Sequence, residues 1–278
     1  MAQCLDSVFV SCADIEVEVI VAEAGKLVDL ARVNATHPAV KLITLPATAL
    51  VPRLWAEGIV QSRGGVVALT LSECTAGKDW GTSILAAMAK GSAAAGGPIS
   101  LSASATMLDS AVFFLRYSAF MSEKSMENRQ TVEIAGDNAA YARTSLELGG
   151  WSRRSGFWEV DVNELLRKRG DDIAWVPAAT MEFANAGSLS TLSHRRYEHG
   201  RLFGHARAAS RGESPLRIAL AAPFVPLVLM TRAVRRVWEI KQYRTKLAKS
   251  LPAFAWLSAC WAFGEAVGAI EAGIANRR

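Results

Sequence analysis

The run Val66-Val67-Ala68-Leu69-Thr70-Leu71 is almost wholly apolar and lies between Gly64-Gly65 and the polar pair Ser72-Glu73. A segment so uniformly apolar is what a buried parallel strand requires, because both of its faces are covered. It belongs to an alternation of strand-like and helix-like pieces that extends from residue 15 to about residue 100. Val17 to Val21 reads as a strand that runs out at Glu23-Ala24-Gly25, and Leu27 to Val33 carries helical spacing. Val40 to Leu45 is a second strand, stopped by Pro46. Leu50 to Ser62 is a helix with Leu54, Gly58 and Ile59 on one side. Trp80 to Lys90 is helical, and Ala93 to Ile99 forms a short strand through Gly96-Gly97-Pro98. Alternation of this kind predicts an α/β domain with a mostly parallel sheet flanked by helices. Ligands of such sheets bind beyond the carboxyl ends of the strands, which puts Glu23, Gly25 and the segment Ser72-Glu73-Cys74 at a candidate site.

Farther on, Ser122 to Gln130 is a polar loop, and Thr131 to Arg143 reads as a strand, a tight turn at Gly136-Asp137-Asn138 and a helix start. A helix from about Glu159 to Arg169 ends at Gly170, and Asp172 to Val176 can form one more strand. With 51% hydrophobic and 21% charged residues, the chain has enough apolar side chain to build a core, which excludes a disordered protein.

Charge is placed unevenly. The net charge is +5, yet residues 231–249 alone carry +6, from seven bases against Glu239, so the remainder is close to neutral. This basic stretch separates two apolar ones. Ile218 to Met230 is short and broken by Pro223 and Pro226. Leu251 to Ile270 is about twenty residues long, the length needed to span a bilayer, and is interrupted by Glu265. A pair of membrane-embedded or interfacial helices with a basic connector accounts for the pattern. A helical pair packed on the globular domain is the other reading. A nucleic-acid surface would spread its cations and aromatics over one broad face, so nucleic acid is not an expected partner. The expected division is a domain over 1–210 and a helical tail over 211–278. Cys4, Cys12, Cys74 and Cys260 form neither a zinc-type spacing nor a disulfide framework. No signal peptide is recognisable at the N-terminus, so the expected location is the membrane, with the globular domain cytoplasmic.

Several segments, taken in order, resemble the family 2 glycosyltransferases, an inverting group with the GT-A fold. Glu18 to Gly25 resembles the strand that ends in two acids and a glycine, the first acid sitting against the nucleotide, which implies donor-binding roles for Glu23 and Gly25. Val67 to Cys74, followed by Asp79-Trp80, resembles the strand that ends in a metal-binding acidic triplet, implying that Ser72 and Glu73 bind the donor and that Glu73 holds a divalent Mg or Mn ion. Gly136 to Arg143, with Gly149-Gly150-Trp151 behind it, resembles the turn near the acceptor, which implies that Asp137 and Asn138 line that side with Trp158. Phe157-Trp158-Glu159-Val160-Asp161 resembles the segment carrying the catalytic base. That role falls on Glu159, with Asp161 as the second choice. Trp261 to Gly268 resembles a Gly-Glu helix near the C-terminus of membrane-bound members.

The resemblance implies transfer of a sugar from a nucleotide donor, UDP-linked, to a hydroxyl of a glycan or lipid-linked acceptor at the membrane surface, as in the building of a cell-envelope glycan. The chemistry asks for those residue types: a carboxylate to take the acceptor proton, and a cation on the leaving diphosphate. There are two departures. Leu71 occupies the place of the first acid in the triplet. The chain also opens inside the first helix, without the apolar strand that precedes it in the family. Either its start lies upstream of Met1, or the chain is degenerate, or a partner supplies the strand. The alternative reading is therefore a catalytically impaired relative acting as a membrane-associated binding protein. A Rossmann dehydrogenase is excluded, since no GxGxxG is present. The polar cluster from His194 to Arg201 is either a solvated helix face or a contact for a phosphate.

Overall fold

The computed structural model describes residues 1–25, 33, 35–121, 133–184, 187–209 and 212–275. The chain divides into two compact units: Met1–Ser100 with Phe120–Phe183, and Leu101–Ala119 with Ala184–Arg278.

The first unit is α/β. Helix α1 (Ala2–Ser11) precedes the parallel pair β1 (Ile20–Ala24) and β2 (Lys41–Leu45). Helix α2 (Val51–Gln61) then leads into β3 (Val66–Leu69) and β4 (Cys74–Ala76), followed by α3 (Trp80–Ala89), β5 (Ala94–Gly96) and β6 (Ile99–Leu101). After α4 (Met107–Tyr117), which belongs to the second unit, come a 3₁₀ turn at Gly136–Asn138, β7 (Ala139–Ala142), α5 (Arg143–Leu146), α6 (Glu159–Arg169), β8 (Ile173–Trp175) and β9 (Met181–Phe183). One sheet has the order β3-β7-β5-β8 and another β4-β9-β6. Pairing is parallel between β1 and β2 and between β5 and β8. It is antiparallel where β7 lies between β3 and β5, and where β9 meets β4.

Packing explains these choices. The core joins Ala56 and Ile59 of α2, Val67 and Leu69 of β3, Tyr141 of β7, Phe157, and Val162 and Leu166 of α6. The expected apolar strand is realised as β3, with two differences, the first being that its pairing with β7 is antiparallel rather than parallel. Val67 and Leu69 are buried whereas Ala68 is exposed, so the strand is covered on one face only. Among the described residues β3 pairs only with β7, and β1 only with β2. Glu18 nevertheless ties the starts of the two strands together, accepting from the amides of Arg63 and Gly64.

Two local expectations are corrected. Residues 93–99 form two strands instead of one, because Pro98 cannot donate to a ladder and Gly97 is pressed against the carbonyls of Val176 and Ala179. The segment 139–142 is a strand rather than part of a helix start. Its small side chains lie between two strands, and the two-sided pairing overrides alanine's helical preference. The helical reading of Leu27 to Val33 and the polar loop Ser122 to Gln130 lie almost wholly outside the described residues, as do Thr131 and Val132.

The second unit is helical: α4, α7 (Leu189–Ala209), α8 (Pro215–Ala221), a 3₁₀ turn (Ala222–Phe224), α9 (Val225–Val237) and α10 (Lys241–Ala275). Helix α4 opens with a capping box, in which Thr106 and Asp109 satisfy each other's backbone amides. Helices α7 and α10 meet along glycines spaced by four, Gly200 and Gly204 against Gly264 and Gly268. A Cβ on Gly204 would lie 2.0 Å from the Glu265 carbonyl, and one on Gly268 would lie 1.8 Å from that of Arg201. Buried Glu265 accepts from Arg207, which also binds Glu213, so the carboxylate that interrupts the apolar helix is paired. The segments Pro215–Val237 and Lys241–Ala275 are both long and apolar enough to cross a membrane.

Replacing Gly268 by Val forces the seam apart and is expected to destabilise the second unit by about 3 kcal/mol. Gly58→Ala, in a helix position with open space around it, should be neutral or stabilising by up to about 1 kcal/mol. Denaturant unfolding followed by circular dichroism separates the two outcomes.

Candidate active site

The site is assembled around Trp55. This residue lies on α2 one position before buried Ala56 and four before buried Ile59, so it shares their inward stripe. Its indole donates to the Thr70 carbonyl, at 3.3 Å, just past the end of β3. The far edge of the same ring lies against Gly136: a Cβ there would come within 2.8 Å of it and 3.1 Å from the Glu159 carboxyl carbon. Glycine is required at that position because a ring and a carboxyl group already occupy the space of a side chain. Thus the carboxyl end of β3, the 136–138 turn and Glu159 are brought together.

Glu159 is the first residue of α6, preceded by Trp158 as N-cap in extended conformation. The loop that delivers it is fastened to α2. The Phe157 amide donates to the Pro52 carbonyl at 2.8 Å, and Gly156, at φ +89°, leaves no room for a Cβ above Pro52. Arg153 donates through Nε to Glu57 at 2.7 Å, and Arg53 donates to the Arg153 carbonyl. Arg153, and after it Gln61, holds the Glu57 carboxyl below the usual carboxylate range. On the inner side, the Tyr141 hydroxyl donates to Asn163 Oδ1 at 2.9 Å, and Asn163 donates on to the Ile134 carbonyl. Burial, and secondarily the charge of Glu159, pushes the Tyr141 hydroxyl well above its ordinary value, so this phenol stays protonated beside the carboxylate.

The other sequence-predicted residues take varied positions. Asn138 is wholly buried; its carbonyl accepts from Trp80 Nε1 at 2.8 Å and its amide donates to the carbonyls of Pro98 and Ala179 at 3.1 and 2.8 Å. All of its side-chain capacity is used within the protein, and its contribution is to brace the turn. Asp137 is also buried. Trp158 is half-buried and donates to the Ser155 carbonyl at 3.2 Å. Asp161 is half-buried and stands about 200° around the helix from Glu159.

Glu23 is buried on β1 and accepts from Thr44 at 2.8 Å, while Gly25, at φ +75°, donates to the Leu45 carbonyl. Ser72 donates to Glu73 at 2.8 Å in the turn after β3. That turn is held by α1, whose Cys4 thiol contacts the Leu71 carbonyl and whose Ser7 hydroxyl accepts from the Ala76 amide. Burial pushes the Cys4 thiol up to about 11, so it serves as a packed group rather than a nucleophile.

No group of three or more His, Cys, Asp or Glu suited to a metal occurs among the described residues. Glu73 supplies one carboxylate beside one hydroxyl, a donor set too small for a resident ion. Sequence reasoning missed Trp55 and Tyr141. Trp55 was detectable as part of the apolar stripe of α2; the role of Tyr141 depends on β7, which was not anticipated.

No protein-family model matches the chain, and no curated protein matches it. Among solved structures it is similar to S. aureus TarS 1–349 in complex with UDP, with 10% identity over 92% of this chain and 86% of that one and a TM-score of 0.45. It is also similar to the mannosyltransferase PcManGT from Pyrobaculum calidifontis in complex with GDP-Man and Mn²⁺, with 19% identity over 99% and 82% of the two chains and a TM-score of 0.44.

The Glu57–Arg153 tie has a pH signature. A carboxyl held low in the folded state stabilises it above the unfolded value, and that contribution is lost as pH falls. The melting-temperature difference between the parent and Glu57→Gln is therefore expected to be full at neutral pH and to shrink as pH drops below about 4.3.

Proposed function

We propose that this chain is a GT-A-type glycosyltransferase that moves a sugar from a nucleotide donor, UDP-linked, to a hydroxyl of a glycan or lipid-linked acceptor. The observation that carries the reading is the placement of the Glu159 carboxyl against the Gly136 turn, beside Trp55 and the carboxyl end of β3. This position supports Glu159, the resemblance's first choice of base, because ligands of α/β sheets bind beyond the carboxyl ends of the strands. In the proposed step Glu159 takes the acceptor's hydroxyl proton as that oxygen attacks the anomeric carbon. The bond from that carbon to the diphosphate breaks, its electron pair leaves with the nucleoside diphosphate, and the configuration inverts. The fastened 152–157 loop holds the carboxylate in place, and Tyr141, kept protonated, adds no second negative charge beside it. Asp161 is the substitute base, Glu23 and Gly25 belong to the nucleoside side with Ser72 and Glu73, and Asp137, Asn138 and Trp158 to the acceptor side. A divalent Mg or Mn ion arrives with the donor in this reading, and the base step does not depend on it.

The tail beyond residue 210 holds the domain on the cytoplasmic face of a membrane. Leu216, Leu220, Phe224 and Leu227, each more than half exposed, repeat at helical spacing along α8 and α9, with Trp238 on the same line. Ile218, Ala222, Ala233 and Val237 on the opposite side are buried, and Arg232 and Arg235 are exposed at the far end. A stripe of this form suits the interface of an anionic bilayer, its apolar side chains among the acyl chains and its arginines at the headgroups. A second reading, a membrane-associated binding protein without catalysis, is favoured by Leu71 and by the pairing of β1 and β3 on one side only among the described residues.

Calorimetric titration with UDP, with and without Mn²⁺, tests the donor site; micromolar binding is expected, and its absence favours the second reading. Glu159→Gln should lower the transfer rate by about 10²–10⁴-fold while UDP affinity stays at the parental value. Transfer at the parental rate would sink the assignment of the base. Leu220→Glu combined with Phe224→Glu should weaken co-sedimentation with anionic vesicles by about tenfold or more, since burying each apolar side chain is worth about 1.5–3 kcal/mol.

A further inference from the structure

The second unit contains a buried cation with no carboxylate partner among the described residues. Arg196 lies on the inward side of α7, its guanidinium 4.5 Å from the centre of the Trp261 ring on α10. Its Nε is buried without a hydrogen-bond acceptor, and none of its ion pairs is to a carboxylate among the described residues. Among the described residues, Arg116 of α4 opposes its charge and the Cys260 thiol favours it more weakly. Burial, with Arg116 behind it, lowers the Arg196 guanidinium to about 9. The ring of His199 stands edge-on to the same Trp261 at 5.0 Å, and burial followed by the two arginines lowers it to about 3. Phe203 closes the other side at 5.6 Å from Trp261.

A buried guanidinium N–H without an acceptor is costly, and like charges nearby add to that cost. The arrangement persists because Gly200 lets α7 close directly on the Trp261 backbone, fixing the ring beneath the guanidinium. Arg196, His199, Trp261, Arg116 and Cys260 each keep part of their surface exposed, although the Arg196 Nε is buried. A forked, planar cation stacked on an aromatic face is the group that best matches the oxygens of a phosphate.

We propose that α4, α7 and α10 form a binding site for a phosphate group, with Arg196 as its principal ligand, Arg116 supplying further positive potential and the uncharged His199 ring beside them. This site lies wholly within the second unit and is independent of the glycosyltransferase reading. The phosphate can come from a soluble anion or from a lipid phosphomonoester, since the chemistry recognised is the same.

The test uses the full chain and Arg196→Gln, with thermal unfolding read at increasing inorganic phosphate, and separately with vesicles containing phosphatidic acid or phosphatidylglycerol. Without ligand, Arg196→Gln should be at least as stable as the parent, because it removes a charge the protein does not pair. Phosphate should raise the parent's melting temperature, and the response should weaken about tenfold or more in concentration for the variant. If only phosphatidic acid vesicles produce the Arg196-dependent shift, the headgroup is the source; phosphatidylglycerol, a diester, should act alike on both proteins. Should Arg196→Gln fail to fold, Arg196→Lys keeps the charge without the fork and is expected to lose most of the response. Equal responses of parent and folded variant to both phosphate and phosphatidic acid overturn the proposal.

Discussion

The side chain of Asn138 sits where the parts of the first unit that surround the site converge. With one carbonyl and one amide group it joins the start of α3 through Trp80, the corner between β5 and β6 through Pro98, and the link between β8 and β9 through Ala179. Each bond contributes only about 1 kcal/mol net. Losing the side chain, however, would leave a buried indole N–H and two carbonyls short of partners, at about 1–3 kcal/mol each. The neighbours are shaped to the same end. Gly96 and Gly97 carry no side chain because the Asn138 carbonyl and the Val176 and Ala179 carbonyls fill that space. The turn thus fixed sets Gly136 against Trp55, and through it the carboxyl group of Glu159. A polar residue that never meets solvent thereby determines where the proposed base stands.

The second unit solves its packing problem differently. Glycines at intervals of four bring two helices to backbone contact, and a carboxylate in an apolar helix is offset by an arginine from the facing one. The pairing of Glu265 with Arg207 is costly to break, since either partner alone would be a buried charge, and this favours one register between the helices. Arg196, one turn before Gly200 on the same helix, has no such counterpart among the described residues, and the proposed phosphate site rests on this contrast between the two arginines.

Much of the fold was legible because the helices and strands of the first half obey their own periods. Val66 to Leu69, Val51 to Gln61, Trp80 to Ala89 and Glu159 to Arg169 fall where apolar spacing, Pro52 near a helix start and Gly170 at a helix end put them. What was not legible depended on partners distant in the chain. Ala139 to Ala142 has no strand preference of its own and becomes one because β3 and β5 pair with it from both sides. The break at Gly97-Pro98 is set by carbonyls some eighty residues away. At the site, Glu159 and the 136–138 turn could be named from local motifs. That they meet across Trp55 could not, because no pattern in the sequence records which side chain fills the space above a glycine.

At its four glycines the seam between α7 and α10 is closed by main chain on main chain. At those points the fit depends on the absence of atoms, so a side chain trimmed on the opposite helix does not restore it once a methyl group meets main chain. Outward-facing positions such as Trp256, Phe263 and Ile270 carry no such demand. Over generations, a lineage built on this bundle would drift fastest on its outer surface and slowest at four positions that have nothing to show for their constancy but a hydrogen atom.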